Sequence, residues 1–175
     1  VTTQHISLSR RNLLRGKFSA AQGCLTSQTA VRLPWSISEQ HFTDHCSRCN
    51  DCVNACPQNI IVKGSGGFPE INFALGECTF CQDCVVSCNV PLFTDIATTP
   101  WSYKAVINDK CLAQNNVHCQ SCQDSCEPYA IKFAPRLGGV SQPKIELLDC
   151  TGCGGCVSIC PTNAISINLI AESTS

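Results

Sequence analysis

The stretch Cys150-Thr151-Gly152-Cys153-Gly154-Gly155-Cys156-Val157-Ser158-Ile159-Cys160-Pro161 packs four cysteines into a C-x2-C-x2-C-x3-C run that closes on proline. The same run occurs at Cys46, Cys49, Cys52 and Cys56, followed by Pro57, and at Cys78, Cys81, Cys84 and Cys88, followed by Asn89-Val90-Pro91. A stretched version is Cys111, Cys119, Cys122 and Cys126, with seven residues between its first two cysteines and Glu127 before Pro128. Sixteen of the 17 cysteines thus fall into four quartets, and Cys24 belongs to none. Cysteine makes up about ten per cent of the 175 residues, a level at which sulfur chemistry must hold the chain together.

Three chemistries compete for such a pattern. Disulfides belong to a secretory context, and an odd cysteine would be left over. Thiols crowded into one loop also suit a shared centre better than outward cross-links. Zinc sites usually take two ligands from each of two separated knuckles. The remaining chemistry is the bacterial iron–sulfur run ending in Cys-Pro, in which three close thiolates and a distant fourth grip an inorganic cube. We therefore expect Cys46, Cys49, Cys52, Cys56, Cys78, Cys81, Cys84, Cys88, Cys111, Cys119, Cys122, Cys126, Cys150, Cys153, Cys156 and Cys160 to ligate iron in four [4Fe-4S] clusters. The third run, Cys111 to Cys126, is the weakest of the four, and three clusters result if it is empty. Gly154 and Gly155 are expected to let backbone approach sulfur closely, and the amides of such a loop to form a nest aimed at an anion. Val53, Val85, Val86, Val157 and Ile159 would form a dry shell around the clusters; in so small a domain that shell is nearly the core itself.

Outside the runs the chain repeats. Pro34-Trp35-Ser36 precedes the first run and Pro100-Trp101-Ser102 the third. Gly66-Gly67 follows the first and Gly138-Gly139 the third. Pro69-Glu70-Ile71-Asn72-Phe73 leads into the second and Pro143-Lys144-Ile145-Glu146-Leu147 into the fourth. Residues 34–99 and 100–170 therefore read as two copies of one unit, each holding two runs. Within a unit, Ile60–Val62 and Glu70–Phe73 read as strands around a glycine turn, as do Ala130–Phe133 and Lys144–Leu147, and Ala164–Ile167 gives a last strand. Short helical turns are expected between the third and fourth cysteines. The fold class is α+β: two tandem bacterial-ferredoxin-like dicluster modules, small and loop-rich, about four strands each, organised around the clusters. A unit of this size buries too little apolar surface to stand alone, so bound metal must supply much of its folding free energy.

In the bacterial two-cluster arrangement the fourth cysteine of one run serves the other run's cluster. Tandem wiring then joins Cys46, Cys49 and Cys52 to Cys88, and Cys78, Cys81 and Cys84 to Cys56. In the second unit it joins Cys111, Cys119 and Cys122 to Cys160, and Cys150, Cys153 and Cys156 to Cys126. Nested pairing of the first run with the fourth stays open, because the gaps between runs are 21, 22 and 23 residues. His45 and His118 each precede a cysteine, but each quartet is already complete, so both read as neighbours of a site or solvent-facing residues. Cys24 reads as a spare surface thiol.

The net charge of −1 divides unevenly: residues 1–38 carry five basic and no acidic groups, residues 39–175 seven basic and 13 acidic. That balance excludes a generic nucleic-acid binder, and no apolar run is long enough for a membrane span. The opening Val1 in place of methionine reads as processing or a non-standard start. Residues 1–33 form a basic arm and 171–175 a tail. Ser9-Arg10-Arg11-Asn12-Leu13-Leu14-Arg15 is similar to a twin-arginine export signal, but Lys17 and Gln22 interrupt the apolar segment such a signal needs. The reading is a cytoplasmic protein whose arm is either a docking element for an acidic partner or a solvated tail. No nucleophile–base pair, phosphate loop or flavin motif is present, so no enzyme is expected.

The Ser-Arg-Arg-x-Leu-Leu-Arg-Gly segment, Arg32-x-Pro34-Trp35-Ser36 and four runs with a divergent third together resemble the NapF family. These are ferredoxin-type accessory proteins of bacterial periplasmic nitrate reductase systems, and the resemblance runs from Ser9 to about Ile167. It implies a cytoplasmic [4Fe-4S] protein that binds the NapA-like catalytic molybdenum subunit and assists its maturation before export. The alternative from another class is a soluble carrier passing single electrons to a reductase.

Overall fold

The computed structural model describes residues 30–170. The arm up to residue 29, with Arg10, Arg11 and Cys24, and residues 171–175 lie outside the described residues.

Three of the four runs build the same local object. The residue after the second cysteine adopts a left-handed φ (72° at Asn50, 70° at Gln82, 85° at Gly154) and starts a short helix that carries the third cysteine. These helices are α2 (Asp51–Ala55), α3 (Asp83–Val86) and α5 (Gly155–Ser158). The residue before the second cysteine is left-handed as well, at Arg48, Phe80 and Gly152. Past the fourth cysteine the chain turns sharply. Asn59, Tyr129 and Asn163 take positive φ, and their N–H groups donate to the carbonyls of Cys56, Cys126 and Cys160 at 3.1, 2.9 and 3.1 Å. The expected helical turns between third and fourth cysteines are present, including α4 (Ser121–Asp124) in the third run.

Strands fill the remaining space in pairs. β1 (Ile61–Lys63) pairs antiparallel with β2 (Pro69–Ile71) around a 3-10 turn at Ser65–Gly67. β4 (Ile131–Ala134) pairs with β5 (Gln142–Ile145) in the same manner. β3 (Tyr103–Ile107) pairs over five residues with β6 (Ile165–Leu169), closing the second half of the chain end to end. β3 was not expected from the sequence, because Tyr103-Lys104-Ala105-Val106-Ile107 shows little alternation and buries only Ala105. The first half closes differently. A single bridge joins Ser36 to Phe93, and helix α1 (Glu39–His45), also unexpected, inserts Phe42 with no exposed surface. Four strands per unit is therefore right for the second half alone; the first has two and a bridge.

The core is continuous, with Leu33, Ile60, Ile61, Ile71 and Phe73 from the first half and Ala130, Ile131, Ile165 and Ile167 from the second. Val53, Val85 and Val157 pack against it as the dry-shell reading required. Val86 and Ile159 do not: they are 82 % and 39 % exposed, because the one-turn helices that carry them turn those positions outward. The Pro-Trp-Ser repeats have a structural use. The Trp35 indole N–H donates to the Thr98 carbonyl and that of Trp101 to the Thr151 carbonyl, and both rings meet Phe80 edge-on at 6.3 and 5.4 Å. Aromatic edge contacts of this kind add to the area they bury.

Candidate metal centres

The folding of the runs gathers their thiols around four small hollows. One is lined by Cys46, Cys49, Cys52 and Cys88. The next is lined by Cys78, Cys81, Cys84 and Cys56. In the second half, one is lined by Cys111, Cys119, Cys122 and Cys160, the other by Cys150, Cys153, Cys156 and Cys126. Each hollow thus takes three cysteines from one run and the last cysteine of the neighbouring run. This is the tandem grouping; the nested one does not occur. The exchange follows from helix packing, since α2 lies against α3 and α4 against α5, which carries each fourth cysteine to its neighbour's loop.

The lining has a single chemistry. No carboxylate or imidazole enters any of the four hollows, and the other lining residues are mainly apolar or neutral, Arg48 in the first hollow being the charged exception. None of the sixteen cysteines is in a disulfide. Burial, reinforced by the negative charge of neighbouring cysteines, pushes Cys84 and Cys156 up to about 12. Burial does the same to Cys52, Cys78 and Cys122, to about 11. Cys160 is different. Burial raises it, but hydrogen bonds from the Ala164 and Thr162 amides outweigh that, and its thiol falls below the ordinary range. The Ala164 N–H reaches the Cys160 sulfur at 3.2 Å, and the Ala130 N–H reaches the Cys126 sulfur at 3.3 Å. Thiols gathered around one space raise one another's pKa, and a bound metal group would displace their protons. Among the described residues no three Cys, His, Asp or Glu side chains converge closely enough to share one metal ion. Thiols spaced around a hollow fit a polynuclear iron–sulfide group better than a single zinc, which needs all its sulfurs at about 2.3 Å.

The third run absorbs its insertion locally. Residues 112–118 coil into a compact turn in which Asn115 N–H donates to the Cys111 carbonyl and Val117 N–H to that of Leu112. Ala113 is fully buried, and the Gln142 side-chain amide from β5 holds its carbonyl at 2.7 Å. Cys119 is thereby returned to the hollow, although Gln120 has φ −134° where the other runs are left-handed. His45 and His118 line none of the hollows. His45 stacks on His41 and hydrogen-bonds its carbonyl, and His118 is exposed.

Gly154 takes the left-handed φ, 85°, for which a glycine was expected in this loop. A Cβ on Gly154 would overlap the Phe73 ring, and one on Gly155 would overlap the Glu77 carboxylate, both groups from the first half. Gly154 also makes room for the other half of the chain, whereas the Glu77 carboxylate ends a flexible side chain that can swing away from Gly155. The left-handed residues beside the second cysteine of the first and second runs are the site feature the sequence did not reveal. In those two runs Asn50 was the one faint signal, since Arg48, Phe80 and Gln82 are residue types that seldom adopt this conformation; in the fourth run Gly152 and Gly154 announce it.

Paired cysteine runs exchanging their last thiol, with short antiparallel hairpins between them, define a ferredoxin-type iron–sulfur protein. Residues 45–91 and 117–164 each match the family model described as "4Fe-4S dicluster domain". The chain is 44% identical to "Ferredoxin-type protein NapF" of Escherichia coli strain K12, covering 92% of this chain and 94% of that one. It is 45% identical to the protein of the same name from Haemophilus influenzae, covering 93% and 94%. It is 29% identical to "Methylamine utilization ferredoxin-type protein MauM" of Methylobacillus flagellatus, covering 81% and 68%. No solved structure matches. The chain belongs to the NapF family of ferredoxin-type proteins. Among the described residues no helix is long and apolar enough to cross a membrane.

Proposed function

We propose that the four cysteine quartets hold four [4Fe-4S] clusters in two modules, residues 34–99 and 100–170, and that the protein serves in the maturation of periplasmic nitrate reductase. The observation that carries the metal reading is the lining of each hollow by four thiols in the same three-plus-one pattern. Bound there, such a group takes up and releases one electron at a time. The chain's own residues supply soft anionic ligands, an apolar shell, and amide N–H groups directed at Cys126 and Cys160. The return of Cys119 to its hollow supports four clusters over three. All ligand positions are filled by protein thiols, which leaves no position for a substrate, so we assign the protein no reaction of its own.

Family membership supports the rest of the reading: in the cytoplasm, the protein binds the immature catalytic molybdenum subunit before export, with Arg10 and Arg11 of the basic arm as the docking element. Two measurements test it. Anaerobically purified protein is expected to carry about sixteen irons and as many labile sulfides per chain; about twelve would leave the third run without a cluster, and zinc in place of iron would end the reading. Immobilised protein is expected to capture the cofactor-free subunit and to release it once loaded, with capture weakened by Arg10→Ala/Arg11→Ala at unchanged cluster absorbance. Reoxidation of the reduced protein only by mature, turning-over reductase would instead make it an electron carrier.

A further inference from the structure

Besides the shared core, the two halves meet at a junction between the second and fourth runs. The Cys78 N–H in the second run donates to the Cys153 carbonyl in the fourth at 2.8 Å. Around this bond, Trp101 holds the Thr151 carbonyl and lies edge-on to Phe73 and Phe80, at 6.2 and 5.4 Å. Gly154 sits in the middle, where a Cβ would overlap the Phe73 ring. Its left-handed φ does not explain the glycine, because Asn50 and Gln82 adopt nearly the same φ at the equivalent positions of the first and second runs. What distinguishes position 154 is the aromatic ring of the other half lying against it. Within each half, α2, which carries Cys52 of the first run, packs on α3, which carries Cys84 of the second, and α4, with Cys122 of the third, packs on α5, with Cys156 of the fourth. Contacts therefore join the four quartets in the spatial order first, second, fourth, third.

From these contacts we infer that Gly154 is a positioning residue: the bare backbone there seats the second half on Phe73, brings the second and fourth quartets together through the Cys78–Cys153 hydrogen bond, and makes two dicluster modules into one row of four sites. The inference rests on the four-cluster reading, which iron and sulfide analysis of the unmodified chain tests separately. The variant is Gly154→Asn, since asparagine tolerates the left-handed conformation. When all sites are reduced with dithionite, neighbouring paramagnetic centres broaden one another's EPR signals. The expected result is unchanged iron per chain and loss of the part of the broadening that arises between halves, with the part within each half retained. Adding Phe73→Ala to Gly154→Asn is expected to restore the lost part. Full coupling in Gly154→Asn would overturn the inference. Should the single variant lose iron, its recovery in the double variant upholds the contact with Phe73, and continued loss overturns it.

Discussion

The two halves of this protein carry the same cysteine frame and close it by different means. The second half runs a five-residue ladder, β3 to β6, from one end of the module to the other. The first half has one bridge, Ser36 to Phe93, and relies on side chains: Phe42 from α1 and Trp35, which are 0% and 4% exposed. An ion pair fastens α1. Arg32 donates to both Glu39 oxygens, at 2.8 and 2.6 Å, and to the Pro69 carbonyl, and its guanidinium lies 5.4 Å from the Phe42 ring centre. Backbone pairing and buried aromatic surface are thus interchangeable as the outer wall of a cluster site, provided the thiols stay where the runs place them.

The largest effect that would sharpen this contrast is loss of metal. If iron is stripped under reducing, anaerobic conditions, both hairpins should lose their support, because so small a core depends on the bound group. Hydrogen exchange is expected to show residual protection in the β3–β6 ladder and none in Ser36 and Phe93; equal exchange in both would remove the distinction. Phe42→Ala should cost about 3–5 kcal/mol. It is expected to speed thermal bleaching and release iron from the two sites of the first half while the second half holds its own. Ile167→Val, on β6 opposite Ala105, should cost about 0.5–1.5 kcal/mol, a smaller change confined to the second half, read by the same bleaching assay. Smallest is Glu39→Gln, about 0.2–1 kcal/mol for a partly exposed pair, measured as faster amide exchange in α1 at neutral pH. The hydrogen bond from Arg32 holds the Glu39 carboxyl below its usual range. The pair's contribution is therefore complete above the unfolded value of about 4.3 and disappears as pH falls through the lowered one. In Glu39→Gln that acid-side dependence should vanish.

The third run offers a second contrast. It lacks the left-handed residue before α4 and carries five extra residues between its first two cysteines, yet its cysteines line a hollow like the others. Spacing alone made this run look weakest because a sequence does not show that residues 112–118 fold back on themselves and are pinned by Gln142. Much of the rest was legible: the four quartets, the helical turns behind them and the paired hairpins, displaced by a residue or two. α1 and β3 were not. Their apolar residues are few, and their burial depends on the partners they meet: Phe42 beneath Arg32, and Ala105 against Ile167.

By itself the sequence determined which thiols act together within a run, because residues three apart in one tight loop have nowhere else to point. Only the tertiary structure decided which run lends each quartet its fourth thiol, since near-equal gaps of 21 to 23 residues permit either pairing and helix packing alone selects one. It decided the meaning of Gly154 as well: a glycine in a loop records that space is needed, but the ring that needs it lies 81 residues away, on a surface formed when the two halves come together.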